Sequence, residues 1–169
     1  GSRLESDVMV DTVYCLTPST MRWHSLPAMV TPRANANCAV VGRQLYMIGG
    51  SNVHVLKSAE GFDPDVGAWF TLPDMSTARC SAAAIVIQDC IYVCGGFTKE
   101  NVASRLLERF HTKAGFWERL GPMLQPRALA AVTSLNGMLY VGGGCDVERK
   151  VCRSMEQFNP ESKTWEGGA

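Results

Sequence analysis

One spacing constrains this chain more than any other feature. Tryptophan falls at Trp23, Trp69, Trp117 and Trp165 and nowhere else, in steps of 46, 48 and 48 residues. Four further markers keep the same period. A Tyr precedes a Gly pair at Tyr46 with Gly49-Gly50, Tyr92 with Gly95-Gly96, and Tyr140 with Gly143-Gly144. Glu-x-Phe recurs at Glu60/Phe62, Glu108/Phe110 and Glu156/Phe158. Met29, Met75 and Met123 each follow a Trp by six residues, and Arg33, Arg79 and Arg127 close the segments. A unit of this length is one supersecondary element. It cannot bury its apolar faces alone, so neighbouring units must stack.

Each repeat reads as four short strands. In the second, 82–87 is a short apolar run, Gln88-Asp89 a turn, and 90–94 the next strand, which ends at Gly95-Gly96. A third strand lies near 105–110, His111 to Gly115 turns, and 116–120 is the fourth. Asn136-Gly137 stands between the first two strands of the third repeat, and a type I′ hairpin requires two residues of positive φ there. Gly42-Arg43 holds that place in the first repeat. The first strands are rich in alanine (Ala36 and Ala39, Ala82–Ala84, Ala128, Ala130 and Ala131). Small side chains suit strands that converge on an axis, and Gly pairs suit close backbone approach at a strand end. Four-stranded meanders repeated radially make a propeller.

The pattern resembles the Kelch repeat of the Kelch-like (BTB-Kelch) proteins. It is carried by Arg33, Tyr46, Gly49-Gly50, Glu60, Phe62, Asp63-Pro64, Trp69 and Met75 with their later counterparts, over about residues 11–166. His111-Thr112 departs from the Asp-Pro turn, and Gly142 adds a third glycine to the last pair. The expected fold is therefore all-β: an incomplete Kelch-type β-propeller of about three and a half four-stranded blades. The expected units are a half blade over 11–29 and blades over about 33–75, 79–123 and 127–166. Residues 1–10 read as an N-terminal tail, with Gly1-Ser2 as an expression scar. The resemblance implies that closed relatives usually have six blades, so the chain is expected to be half a domain. Two copies of an open half-propeller expose complementary apolar faces, so self-association is expected.

Composition narrows the functional classes. Sixteen basic and sixteen acidic residues give zero net charge, which argues against nucleic acid or an anionic membrane as partner. No apolar run approaches the length of a membrane span, and the first residues lack the apolar stretch of a signal peptide. The seven cysteines are odd in number and unmatched between repeats, which points to a reducing compartment and a cytoplasmic location. Cys90 and Cys94, four apart on one strand, would stand roughly 13 Å apart, too far for a disulfide. They read as buried thiols acting as small hydrophobes.

An antiparallel meander sends the loops between second and third strands, and those between blades, to one face. Its loops at 51–57, 97–104 and 145–153 exceed the turns opposite, and long loops on a rigid scaffold are where binding concentrates. The candidate partner-binding residues are Arg33, Arg79 and Arg127 between blades, with Asn52, His54, Lys99, Asn101, Glu148, Arg149 and Lys150 in the loops. The resemblance implies that Arg at this part of the repeat binds short acidic peptides. A structural reading stands beside it: each Arg precedes its repeat's Glu by 27 or 29 residues, so an Arg–Glu pair can tie the first strand to the third. Cys145 and Cys152 flank a loop that can fold back on itself. Arg149, Lys150 and Arg153 beside them would lower a thiol pKa and favour reversible oxidation; two unreactive thiols are the favoured alternative.

Enzymatic readings find little support. His24, His54 and His111 fall at different blade positions, and no metal-ligand spacing, Gly-x-Ser-x-Gly or P-loop occurs. No helix follows Gly142–Gly144 to receive a phosphate. No cofactor or metal and no enzymatic activity are expected, although propellers host enzymes too. The expected function is protein–protein recognition. The resemblance implies the substrate-binding part of a cullin-type ubiquitin ligase adaptor, with cullin held only through a BTB domain outside this sequence. The alternatives are an actin-binding or cytoskeletal scaffold and a copper-dependent oxidase-like enzyme. The oxidase would need His and Tyr ligands on the axis, which the sequence does not supply.

Overall fold

The computed structural model describes residues 10–168; the expected tail at 1–10 lies almost wholly outside them. Fourteen five-residue strands follow one another with no helix between them among the described residues. Strands β1 (Val13–Thr17) and β2 (Arg22–Leu26) pair alone as a two-stranded sheet. Three four-stranded antiparallel meanders follow. The first contains β3 (Asn37–Val41), β4 (Gln44–Ile48), β5 (Ala59–Asp63) and β6 (Ala68–Leu72). The second contains β7 (Ala83–Ile87), β8 (Cys90–Cys94), β9 (Leu107–His111) and β10 (Phe116–Leu120). The third contains β11 (Ala131–Leu135), β12 (Met138–Gly142), β13 (Met155–Asn159) and β14 (Thr164–Gly168). Strand order in each sheet is sequence order.

The alanine-rich strands do converge: β3 lies against β7, and β7 against β11. Close approach explains the glycines that end the second strand of each blade. A Cβ on Gly50 would stand 2.9 Å from the Cβ of Ala36, and one on Gly96 2.8 Å from that of Ala82. The hairpin turns obey their sequence. Asn136 and Gly137 both have positive φ (51° and 78°), as do Gln88 and Asp89 (49° and 60°), the signature of a type I′ turn. In the first sheet only Gly42 does.

The core lies between sheets rather than within them. Tyr46, Ile48 and Met75 of the first blade pack with Ile91, Val93 and Phe110 of the second. Tyr92, Leu107 and Met123 of the second pack with Leu139, Val141 and Phe158 of the third. The tryptophans latch each blade to the one before. Trp69 Nε1 donates to the Pro27 carbonyl, Trp117 Nε1 to Pro73 and Trp165 Nε1 to Gly121, each at 2.8 Å. Trp23, on the half blade, meets no preceding blade among the described residues and is 66 % exposed.

A second latch runs the other way. Gly50 N–H donates to the carbonyl of Arg79 at 3.0 Å, and Gly96 N–H to that of Arg127 at 2.9 Å. A Cβ on Gly49 or Gly95 would stand 2.5 or 2.1 Å from those carbonyl oxygens, whereas one on Gly143 would meet nothing within 4 Å. Both ends of the array thus carry docking devices unused among the described residues.

Candidate recognition face

The between-blade segments and the within-blade loops do share one face. Isolated bridges lace them: Ala34 to Ser51 and Ser51 to Val55, Cys80 to Phe97 and Phe97 to Ala103, Ala128 to Cys145 and Cys145 to Val151. Each loop is therefore a short continuation of its blade.

The three recurring arginines lie beneath that face. Arg79 and Arg127 have no exposed surface and Arg33 only 6 %, and their partners Glu60, Glu108 and Glu156 are equally buried. Arg33 pairs with Glu60 at 2.5 Å, Arg127 with Glu156 at 2.9 Å, and Arg79 with Glu108. Each guanidinium also donates to two carbonyls that flank the following loop: Gly49 and Ser58, Gly95 and Leu106, Gly143 and Ser154. The glutamates close the network by accepting from the backbone N–H of Val30, Ser76 and Leu124, at 2.7, 2.8 and 2.6 Å. Burial pulls the Arg79 guanidinium below its ordinary pKa, and the charge of Glu108 works against that. The sequence left a structural and a binding role equally open. This placement is the structural one, because a partner cannot reach a guanidinium that has no surface.

The loop candidates divide. Asn52 is half-buried and shapes its own turn, its Oδ1 accepting from His54 N–H at 3.0 Å, while His54 stands exposed. Arg149 crosses from the third blade to the second. Its Nη2 donates to Asn101 Oδ1 at 2.6 Å, and its Cζ lies 3.8 Å from the Phe97 ring centroid, a cation–π distance. Glu148 pairs with Lys150 on the loop tip. Lys99 lies apart from these, at a groove of about 340 Å3 between the first two blades, with Lys57, Ser76, Thr77, Thr98 and Glu100.

Sequence reasoning missed the groove. A signal was present. Ser76-Thr77-Ala78 stands where the other repeats have Val30-Thr31-Pro32 and Leu124-Gln125-Pro126, so the between-blade segment turns small and hydroxylated at one position only. Lys57 pairs with Asp74 at 3.1 Å, and Lys99 approaches Glu100 at 3.8 Å. Both ammonium groups remain well exposed.

The loop does not turn Arg149 and Lys150 toward Cys145 and Cys152, as an activated pair would need. The loop folds back, with Cys145 bridged to Val151. But Arg149 is turned to Phe97 and Asn101, and Lys150 to Glu148. Burial pushes the Cys152 thiol up, against a smaller opposing effect from Arg127.

Residues 1–167 match the family model described as the KLHDC2/KLHL20/DRC7 Kelch-repeats domain. The chain belongs to the Kelch-repeat family. Kelch-repeat domains are protein–protein interaction modules. A segment of 43 residues is 51% identical to the human Influenza virus NS1A-binding protein and equally to its mouse homolog. That segment is 25% of this chain and 7% of each relative's length. Among solved structures, YjhT superimposes with a TM-score of 0.79 at 17% identity, over 94% of this chain and 62% of its own. At that identity the likeness concerns the fold alone. No helix among the described residues is long and apolar enough to cross a membrane.

Proposed function

We propose that this Kelch array holds a protein ligand with its loop face, through the groove between the first two blades, and that the ligand is an acidic segment. The observation that supports this is that Lys57 and Lys99, both well exposed, line one groove together with Ser76, Thr77 and Thr98. Each lysine has an intramolecular carboxylate partner, Asp74 for Lys57 and Glu100 for Lys99. A ligand carboxylate would replace these intramolecular partners, so affinity should fall with salt. The test is affinity capture from cells with the chain and with Lys57→Glu/Lys99→Glu. Partners held by the groove are lost from the charge-reversed variant while its melting temperature is kept. Partners retained equally by both forms overturn the assignment.

The wider role we infer is that of substrate receptor in a cytoplasmic cullin-type ubiquitin ligase adaptor, without catalysis by the Kelch array itself. It rests on the family resemblance. Co-purification of a cullin with the parent protein, dependent on a BTB region, supports the adaptor. Co-sedimentation of the chain with actin filaments would favour the cytoskeletal scaffold instead.

A further inference from the structure

On the turn face, opposite the loops, β8 and β9 set Cys90 directly across from His111. Cys90 Sγ lies 3.7 Å from His111 Nδ1, and His111 Nε2 lies 2.9 Å from Glu118 Oε2. An ionised carboxylate only accepts, so Nε2 carries the imidazole proton and Nδ1 is left as an acceptor toward the thiol. Glu118 is itself fixed by Arg109 and Lys163. Nucleophile, base and orienting carboxylate stand in the order that activates a thiol.

The scaffold does not require this trio. At the same register positions the first blade has Gln44 donating to Asp63 at 3.1 Å, and the third has Met138 and Asn159. Asp63 and Asn159 accept from backbone N–H groups of the turns that follow them. His111 gives up that capping role and stacks on Phe116, with ring centroids 4.5 Å apart. Cys90 and His111 border a cleft of about 160 Å3 that Thr112 and Lys113 also line, and Lys113 is held by Asp89 at 2.9 Å.

We propose that Cys90 is a covalent capture site for small α,β-unsaturated carbonyl compounds, with His111 as its base. Sγ bonds to the β-carbon while the carbon–carbon π bond breaks, and its electron pair moves onto the carbonyl oxygen as an enolate. Lys113, which lines the cleft, offers that oxygen its ammonium as a hydrogen-bond donor. The thiol proton passes to His111 Nδ1 and from there to the α-carbon, so nothing is oxidised and nothing leaves. A base is required because burial, the largest influence, pushes the Cys90 thiol up. Asp89 and Glu118 act in the same direction, and Arg109 and Lys113 oppose them.

The test is alkylation of the folded chain by acrylamide, mapped by mass spectrometry. At pH 7, below the ordinary thiol range near ~8.5, Cys90 reacts at least about tenfold faster than Cys152. Cys94, fully buried with its thiol pushed up to about 12, serves as the unreactive reference. His111→Asn installs the residue that the third blade carries here, and it lowers the Cys90 rate about tenfold or more. His111→Asp, the first blade's choice, does the same and guards against misfolding of one variant. The proposal is overturned if Cys90 reacts no faster than Cys152, or if both folded variants keep the wild-type rate. It also fails if the wild-type rate shows no component below the thiol range.

Discussion

Arg79 has no exposed surface, and it holds a carboxylate that in turn holds the Ser76 N–H. Removing one member of a buried pair strands the other charge, at a cost of about 3–5 kcal/mol. Arg79→Ala should therefore lower stability by that order in urea unfolding. Arg79→Met with Glu108→Leu should recover part of the loss, although the Ser76 N–H and the Gly95 and Leu106 carbonyls each lose a side-chain partner. A variant that kept its stability while losing partner binding would restore the ligand-binding reading of these arginines. Glu118 supplies a pH-dependent counterpart. Hydrogen bonds from Lys163, Arg109 and His111 hold its carboxyl at about 2, below the ordinary 4.5. A depressed folded value means stability fully present above the ordinary value and lost as pH falls toward the folded one. Glu118→Gln should thus destabilise most above pH 4.5, and the difference from wild type should vanish as pH approaches 2, read as urea midpoints across that window.

At the scale of the blade, the two latches explain why single residues recur so strictly. The Trp indole reaches back to a carbonyl of the preceding blade, and the Gly pair receives the carbonyl of the next blade's Arg. Gly95→Ala places a Cβ 2.1 Å from the Arg127 oxygen at a φ of +62°. Left-handed backbone strain costs about 1–2 kcal/mol for an L residue, and overpacking adds about 1–3 kcal/mol. Gly143→Ala has the same φ problem and no neighbour, so only the first cost applies in an isolated chain. Unfolding midpoints of the two variants should separate accordingly. Equal losses would mean that the outer face of the third blade is covered in solution.

At the scale of the molecule, the described blades present two unlike outer faces. Trp23 and Tyr14 are exposed on the half blade, and Leu135 and Met155 on the last blade. Apolar patches of this kind drive association, and unlike faces meet head to tail, giving a ring or a filament according to whether the rotation closes. Light scattering at micromolar concentration should report a mass above one chain, and Trp23→Lys should lower it. A monodisperse monomer with a single cooperative melting transition would overturn this expectation.

The repeat period alone determined the four-stranded units, their order, the alanine strands at the axis and the face that bears the long loops. Each of these follows from strand alternation and from turn chemistry such as Asn136-Gly137, both local to the chain. The start of the third strand was less legible. It begins at Leu107 rather than near 105, because the Leu106 carbonyl is taken by the Gly95 N–H and by Arg79. The fate of the arginines was undecidable from spacing, since an inward Arg–Glu pair and an outward binding stripe require the same residues at the same intervals. Cys90, His111 and Glu118, and likewise Lys57, Ser76 and Lys99, lie on different strands or loops and are scattered in sequence. Only cross-strand register and the packing of one blade on the next bring them together, and loops of unequal length conceal both from a reader of the sequence.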